Sequence, residues 1–303
     1  MKKILSIVAI LFAATQIYAQ SVPFVNISAN PYSNSMGGTT LVLESNPFTV
    51  AENASAMTFS ESKGSAGVSY NSWQPWMLKN NILGVSGYAK FGKFAVGISG
   101  KYNGYSAYDI VSDKGEVTGS FTPNEMSVEA AAGFRFAKNF SAGVNVRYIS
   151  SKLSEESSGG AIAADVSATF MRKGLMVAVA ATNLGTNMDY GNNPFKLPAM
   201  VKVGAGYSFG FADIHKLNVN VEGDYLLTKS GIMAGAGLEY SIKDMAKIRA
   251  GYHYGGEENI PSYASVGIGV KIIGITLDAA YLFGGGVNAV LNGSFGVALG
   301  YSF

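Results

Sequence analysis

The chain has no cysteine anywhere in its 303 residues, so disulfides and thiolate metal sites are excluded. It has only two histidines, His215 and His253. Their separation makes no metal-ligand spacing, and no motif sets a serine beside either one as a nucleophile–base pair would need. Charge is also scarce: Asp, Glu, Lys and Arg together make up 14% of the chain, against roughly 25% in ordinary soluble domains. Beyond the first twenty residues there is no apolar run of about 18 residues, which excludes a helical membrane protein. Nothing suggests a cofactor. The glycine clusters Gly284-Gly285-Gly286 and Gly235-x-Gly237 fall at a loop and inside a strand pattern, where turns or close packing explain them better than a phosphate cradle.

The N-terminus reads as a secretory signal peptide over residues 1–19. Lys2 and Lys3 form its positive region, Ile4 to Ala14 its apolar core, and Ile17-Tyr18-Ala19 its cleavage site before Gln20. Removing it leaves 20 Lys+Arg against 20 Asp+Glu, a balance that suggests no nucleic-acid partner. What the chain does have is 38 glycines, 17 tyrosines and 17 phenylalanines. An exported chain rich in apolar, aromatic and glycine residues but lacking a spanning helix can satisfy its backbone in lipid only as a closed barrel.

The hydrophobic pattern agrees. From Lys63 onward, fourteen segments alternate large apolar residues with small or polar ones, at about 64–73, 80–91, 93–104, 124–137, 139–151, 159–171, 174–184, 198–210, 215–228, 231–241, 245–256, 261–272, 274–284 and 291–303. Successive strand side chains face opposite sides, so each segment offers lipid an apolar face and the interior a polar one. In the last segment Leu291, Gly293, Phe295, Val297, Leu299, Tyr301 and Phe303 share the outward parity. Connections after even-numbered segments are mostly one to three residues and those after odd-numbered ones often longer, which places the short turns and both termini in the periplasm. Outward aromatics gather near both ends, as interfacial girdles do. The fold class is therefore all-β, a 14-stranded antiparallel transmembrane β-barrel over residues 63–303 in the outer membrane.

Residues 20–62 do not alternate and contain breakers such as Asn30-Pro31, Gly37-Gly38 and Asn46-Pro47. They form either a periplasmic tail or a plug, and their many apolar residues favour an N-terminal hatch filling the lumen. Inward positions carry charge on neighbouring segments: Glu129 with Arg135, then Arg147, Asp165, Glu222 with Asp224, Glu239, Lys247 with Arg249, and Asp278. These either pair across the wall and against the hatch or line a polar conduit. Outer loops carry aromatic and apolar groups, Trp73, Trp76 and Met77 in one and Tyr105 and Tyr108 in another. Such tips bind a protein or dip into the lipid interface.

Particular stretches resemble the PorV/PorQ family of FadL-like outer-membrane proteins of the Bacteroidetes. The stretch A-N-P-Y-S-N-S-M-G-G-T-T at 29–40 and N-P-F-T-V-A-E-N-A-S-A-M at 46–57 are similar to that family's hatch, giving Asn34, Met36, Gly37, Gly38 and Asn53 as hatch residues. F-S-A-G-V-N-V-R-Y-I-S-S-K-L at 140–153 and L-P-A-M-V-K-V-G-A-G-Y-S-F at 197–209 continue the resemblance. The family usually has Asn-Pro-Ala where this chain has Asn53-Ala54-Ser55. The resemblance implies a plugged fourteen-stranded barrel associated with type IX secretion. Two functions are expected from it: an interaction subunit that binds other outer-membrane or secreted proteins, or a FadL-like transporter holding a hydrophobic ligand or detergent in the lumen. Outer-membrane lipid is a partner in either case.

Overall fold

The structure, a computed structural model, describes residues 22–191, 194–212, 214–228, 230–255 and 260–303. The leader expected at 1–19 lies outside these residues, as does Lys229 of the short connection at 229–230.

Fourteen antiparallel strands close into one barrel. They are β1 (Gly64–Trp73), β2 (Asn80–Phe91), β3 (Phe94–Gly104), β4 (Asn124–Ala137), β5 (Phe140–Lys152), β6 (Ser158–Arg172), β7 (Leu175–Gly185), β8 (Met200–Phe211), β9 (His215–Leu226), β10 (Gly231–Ile242), β11 (Ala246–Tyr254), β12 (Tyr263–Ile272), β13 (Ile275–Phe283) and β14 (Phe295–Ser302). Each pairs with its sequence neighbour, and β14 returns to β1 with Ser302 opposite Ser65 and Phe295 opposite Ser72. Closure removes both sheet edges, so no backbone row is left unpaired in lipid. The side chains follow the alternation. On β5 Val144, Val146 and Tyr148 are exposed to the outside while Asn145, Arg147 and Ile149 are buried within.

Apart from the short β9–β10 connection, the tight turns lie at one end, where Lys173, Lys243, Asp244 and Ile273 adopt left-handed backbone angles. The longer connections lie at the other. Residues 105–123 are not an open loop: Tyr108–Val111 and Val117–Phe121 pair as a hairpin standing off the rim. A second, two-residue ladder joins Met188–Asp189 to Pro194–Phe195.

One part of the last segment differs from the sequence reading. Leu291 and Gly293 are not lipid-facing strand residues. Gly286–Leu291 is a 3-10 turn, Gly293 has φ +83°, and β14 starts only at Phe295. The left-handed glycine breaks the extended chain, and the turn tucks Leu291 into an interior cluster with Trp73, Ile82, Tyr263 and Leu282.

Residues 22–62 run through the lumen as short pieces. A 3-10 turn, Pro23–Asn26, leads to α1 (Pro31–Ser35), which is capped by the Asn30 side chain accepting from the Tyr32 N–H. After Gly37 and Gly38, both at positive φ, come α2 (Thr49–Glu52) and a 3-10 turn at Ala54–Phe59. Such short helices are not stable alone; packing against the wall holds them. Leu41, Val50 and Met57 are completely buried, filling apolar clusters shared with strand residues such as Ala178, Ala95 and Ala131. The closest approach is at Gly37. A Cβ added to Gly251 of β11 would come 2.1 Å from the Gly37 nitrogen, so only glycine fits there.

Candidate functional site: the filled lumen and the outer rim

The inward strand parity aims charged side chains at the polar backbone of residues 22–62, and three networks result. In the first, Arg147 bridges β4 and β6. Its Nε and Nη2 donate to Glu129 Oε2 at 3.0 and 2.8 Å, and Nη2 also meets Asp165 Oδ2 at 2.8 Å. Its Nη1 donates to Asn183 Oδ1 at 2.6 Å. Asn183 sits at positive φ beside the irregular β6–β7 pairing, and such an irregularity re-aims a side chain inward. From there its amide reaches Asn26 at 2.8 Å and the Pro198 carbonyl at 3.1 Å.

In the second network Lys202 of β8 pairs with Glu222 at 2.8 Å and lies 3.7 Å from Asp224. Glu222 also accepts from the Thr40 and Leu41 N–H groups at 2.8 and 2.7 Å and from the Thr40 hydroxyl at 2.8 Å. One wall carboxylate thus holds a turn of the lumen segment by charge-assisted bonds. The third network centres on Arg249, which pairs with Glu239 and Asp278 at 2.6 Å each while its guanidinium lies 4.0 Å from the Tyr32 ring centroid. Lys247 joins it through Glu239 at 3.5 Å and reaches Glu44 at 2.7 Å, and Glu44 also binds Lys216. Arg135 stays outside all three and covers the Phe59 ring near the turn end, 5.6 Å from its centroid.

The hatch residues are equally engaged. Asn34 donates to the Ser28 carbonyl at 3.2 Å, and Asn53 donates to the Leu41 carbonyl at 2.7 Å and to Thr169 at 3.0 Å. Met36 is buried against Tyr32 and Leu43. Lys101 of β3 donates to the carbonyls of Phe24, Val25 and Ile27 at 2.9, 3.1 and 2.8 Å. Two carboxyls on the lumen segment differ in environment. Burial pushes Glu52 up to about 7, although Ser28 and Asn30 hydrogen-bond to it. Burial also works against the charged form of Glu44, but Lys247 and Lys216 outweigh it and hold that carboxyl at about 2.

Between residues 25–30 and the wall lies a cavity of about 90 Å³, lined by Glu52, Lys101, Glu129, Arg147, Asp165 and Lys202 among others. Small-molecule pockets are roughly 300–1,000 Å³ and mostly apolar. This one has room for a few waters. His253 is buried and stacked on Tyr263, with ring centroids 5.0 Å apart, beneath Gly38. His215 stacks with Tyr240 at the turn end. The His215 Nδ1 lies 2.7 Å from the Tyr240 hydroxyl.

At the outer rim the structure separates the residues singled out by sequence. Trp73 is not part of an exposed tip. As the last residue of β1 it keeps inward parity and is 4% exposed. Trp76 and Met77 are the exposed ones, at 78% and 67%. Tyr108 is exposed on the hairpin, whereas Tyr105 is half-buried and donates to Glu125 at 2.5 Å. Sequence reasoning passed over Lys101, Glu125 and Lys202, although all three share the inward parity of their strands. It also passed over Glu44 and Glu52, which no periodicity marks.

These features define a class: an outer-membrane β-barrel of fourteen strands whose lumen is filled by its own N-terminal segment. Residues 13–232 match the family described as type IX secretion system protein PorV. The chain belongs to the PorV family of the type IX secretion system and is an outer-membrane protein. No curated protein matches it. In fold it is similar to the toluene transporter TbuX of Ralstonia pickettii (14% identity, TM-score 0.64, covering 90% of this chain and 98% of that one). It is also similar to the toluene transporter TodX of Pseudomonas putida (12%, 0.62, 95% and 99%) and to a FadL homologue of Pseudomonas aeruginosa (12%, 0.56, 91% and 99%). At such identities the likeness is one of architecture alone.

Proposed function

We propose that this PorV-family barrel is a non-enzymatic interaction subunit, with residues 1–19 a cleaved leader, 20–62 a hatch that stays docked, and the outer loops a surface for exported or outer-membrane proteins. The observation that carries the proposal is the filling of the lumen. Charged groups on β4–β6, β8–β11 and β13 are consumed by one another and by the hatch backbone, and the cavity beside Glu52 holds about 90 Å³. A barrel so filled works through its outside. The exposed Trp76-Met77 tip and the 108–121 hairpin supply apolar and aromatic groups of the kind enriched at protein interfaces. The toluene transporters that share the fold motivate the competing reading, a conduit for a hydrophobic molecule, but a cavity of about 90 Å³ is too small for one.

The test is affinity capture from gently solubilised membranes, comparing the native chain with a Trp76→Ala, Met77→Ala, Tyr108→Ala variant. Other secretion components or exported proteins should be captured with the native barrel and reduced at least about tenfold with the variant, as for loss of interface anchors. Recovery of the isolated barrel alone from both would sink the proposal.

A further inference from the structure

The exposed charges of the barrel are segregated by end. At the end of the tight turns, the β2–β3 turn carries Lys93, the β4–β5 turn Lys138, the β6–β7 turn Arg172 and Lys173, and the β10–β11 turn Lys243, all exposed. Lys271 is exposed beside the β12–β13 turn, and Lys63 is exposed where its N–H meets the Phe303 carbonyl at barrel closure. Among the described residues only Glu61 and Asp244 are exposed acids on this rim. At the opposite end the exposed charge is mainly acidic, with Asp109, Asp113 and Glu116 on the hairpin, Glu155 and Glu156 between β5 and β6, and Asp189 beyond β7. A nearly neutral chain is thus strongly polarised along the membrane normal.

We propose that the turn-end ring is a binding surface for the anionic headgroups of phospholipids in the periplasm-facing leaflet. Three observations favour lipid over an acidic protein. The cations are spread turn by turn around the circumference, whereas a protein interface of standard size covers one patch. Each cation borders an exposed apolar band: Phe91 and Phe94 beside Lys93, Phe136 and Phe140 beside Lys138, Ile242 and Met245 beside Lys243. Lysine and arginine next to such a band place their stems on apolar surface and their heads among phosphates. The turn tips themselves are apolar, with Ile273 91% exposed and Ile214 and Met245 also exposed, which suits immersion at the headgroup level rather than contact with water.

The experiment uses the full barrel in gentle detergent, equilibrated with mixed micelles of equal phosphatidylglycerol and phosphatidylcholine, and measures the lipid that co-elutes with the protein. Phosphatidylglycerol should be enriched at least about fivefold at about 50 mM salt and lose that enrichment at about 500 mM, where exposed charges are screened. Lys93→Gln, Lys138→Gln, Arg172→Gln, Lys173→Gln combined should abolish the enrichment, while Lys79→Gln, Lys114→Gln, Lys152→Gln at the other end should not. Equal retention of the two lipids by the native barrel, at either salt, overturns the proposal without any variant having to fold. An enrichment that survives the turn-end substitutions in a folded barrel overturns it too, as does loss of a co-purifying periplasmic protein with lipid preference unchanged.

Discussion

Arg147 shows how one residue can hold a barrel wall together. Its guanidinium is buried and serves Glu129, Asp165 and Asn183 at once, so removing it leaves two buried carboxylates without their cation. Arg147→Met is expected to cost about 3–5 kcal/mol, the range for breaking a buried pair from one side. A Glu129→Gln, Arg147→Met, Asp165→Asn triple should regain much of that loss, because no buried charge is then left alone. Thermal unfolding followed by gel mobility of the folded barrel separates the two outcomes. Glu52 makes the opposite case, a half-buried carboxyl with no cation within ion-pair distance among the described residues. Its folded value of about 7 lies above the ordinary 4.5, so between those values the folded chain binds the extra proton and stability falls as pH rises. Glu44, held at about 2, acts in reverse and costs stability as pH falls below about 4.5. Protease protection of residues 22–62 should therefore weaken from pH 5 to pH 8 (a range set by linkage to about 7). In Glu52→Gln that slope should be shallower, and an unchanged slope would assign it to another group.

The strands and the hatch were not equally legible in the sequence. The fourteen alternating segments became fourteen strands because period-two patterning fixes strand existence and face directly, and the parity of β5 alone placed Arg147 and Asn145 inside. The start of β14 was misplaced because Leu291 and Gly293 continue the alternation by coincidence; only the φ of +83° at Gly293 reveals the turn. Trp73 was misjudged by adjacency, read with the Gln74-Pro75-Trp76 tip although its strand parity points inward. The hatch carries no period, and its contacts with Glu222, Lys101 and Arg249 link residues more than 70 apart in sequence. Fit at this level is tested where backbone meets backbone. Gly251→Ala would place a methyl 2.1 Å from the Gly37 nitrogen, and overpacking of that kind costs about 1–3 kcal/mol. The expected result is a barrel that still migrates as folded but whose residues 22–62 are cut by protease well before those of the native chain. Undiminished protection would show that the close approach at Gly37 does not hold the hatch.

For the whole molecule the decisive property is whether the lumen must ever open. Hatch and wall are joined by polar contacts on nearly every side of the barrel: Lys101 on β3, Asn145 on β5, Thr169 on β6, Asn183 on β7, Lys202 on β8, Glu222 on β9 and Lys247 on β11. Releasing the segment means unsatisfying these groups together, which makes a docked hatch the stable state. Because the chain contains no cysteine, a single engineered disulfide can test this cleanly. A Cβ built on Gly204 lies 3.2 Å from the Leu41 Cβ, close to the roughly 3.5–4.5 Å that a disulfide spans, so Leu41→Cys, Gly204→Cys should bridge in the oxidising periplasm. Cells carrying the bridged barrel as their only copy should export type IX substrates as well as those carrying the same variant kept reduced. If the barrel instead works by passing a molecule through its lumen, export or uptake should fail in the oxidised form and return on reduction. That single comparison decides whether this family member acts as a closed body that partners grip from outside or as a channel with a removable stopper.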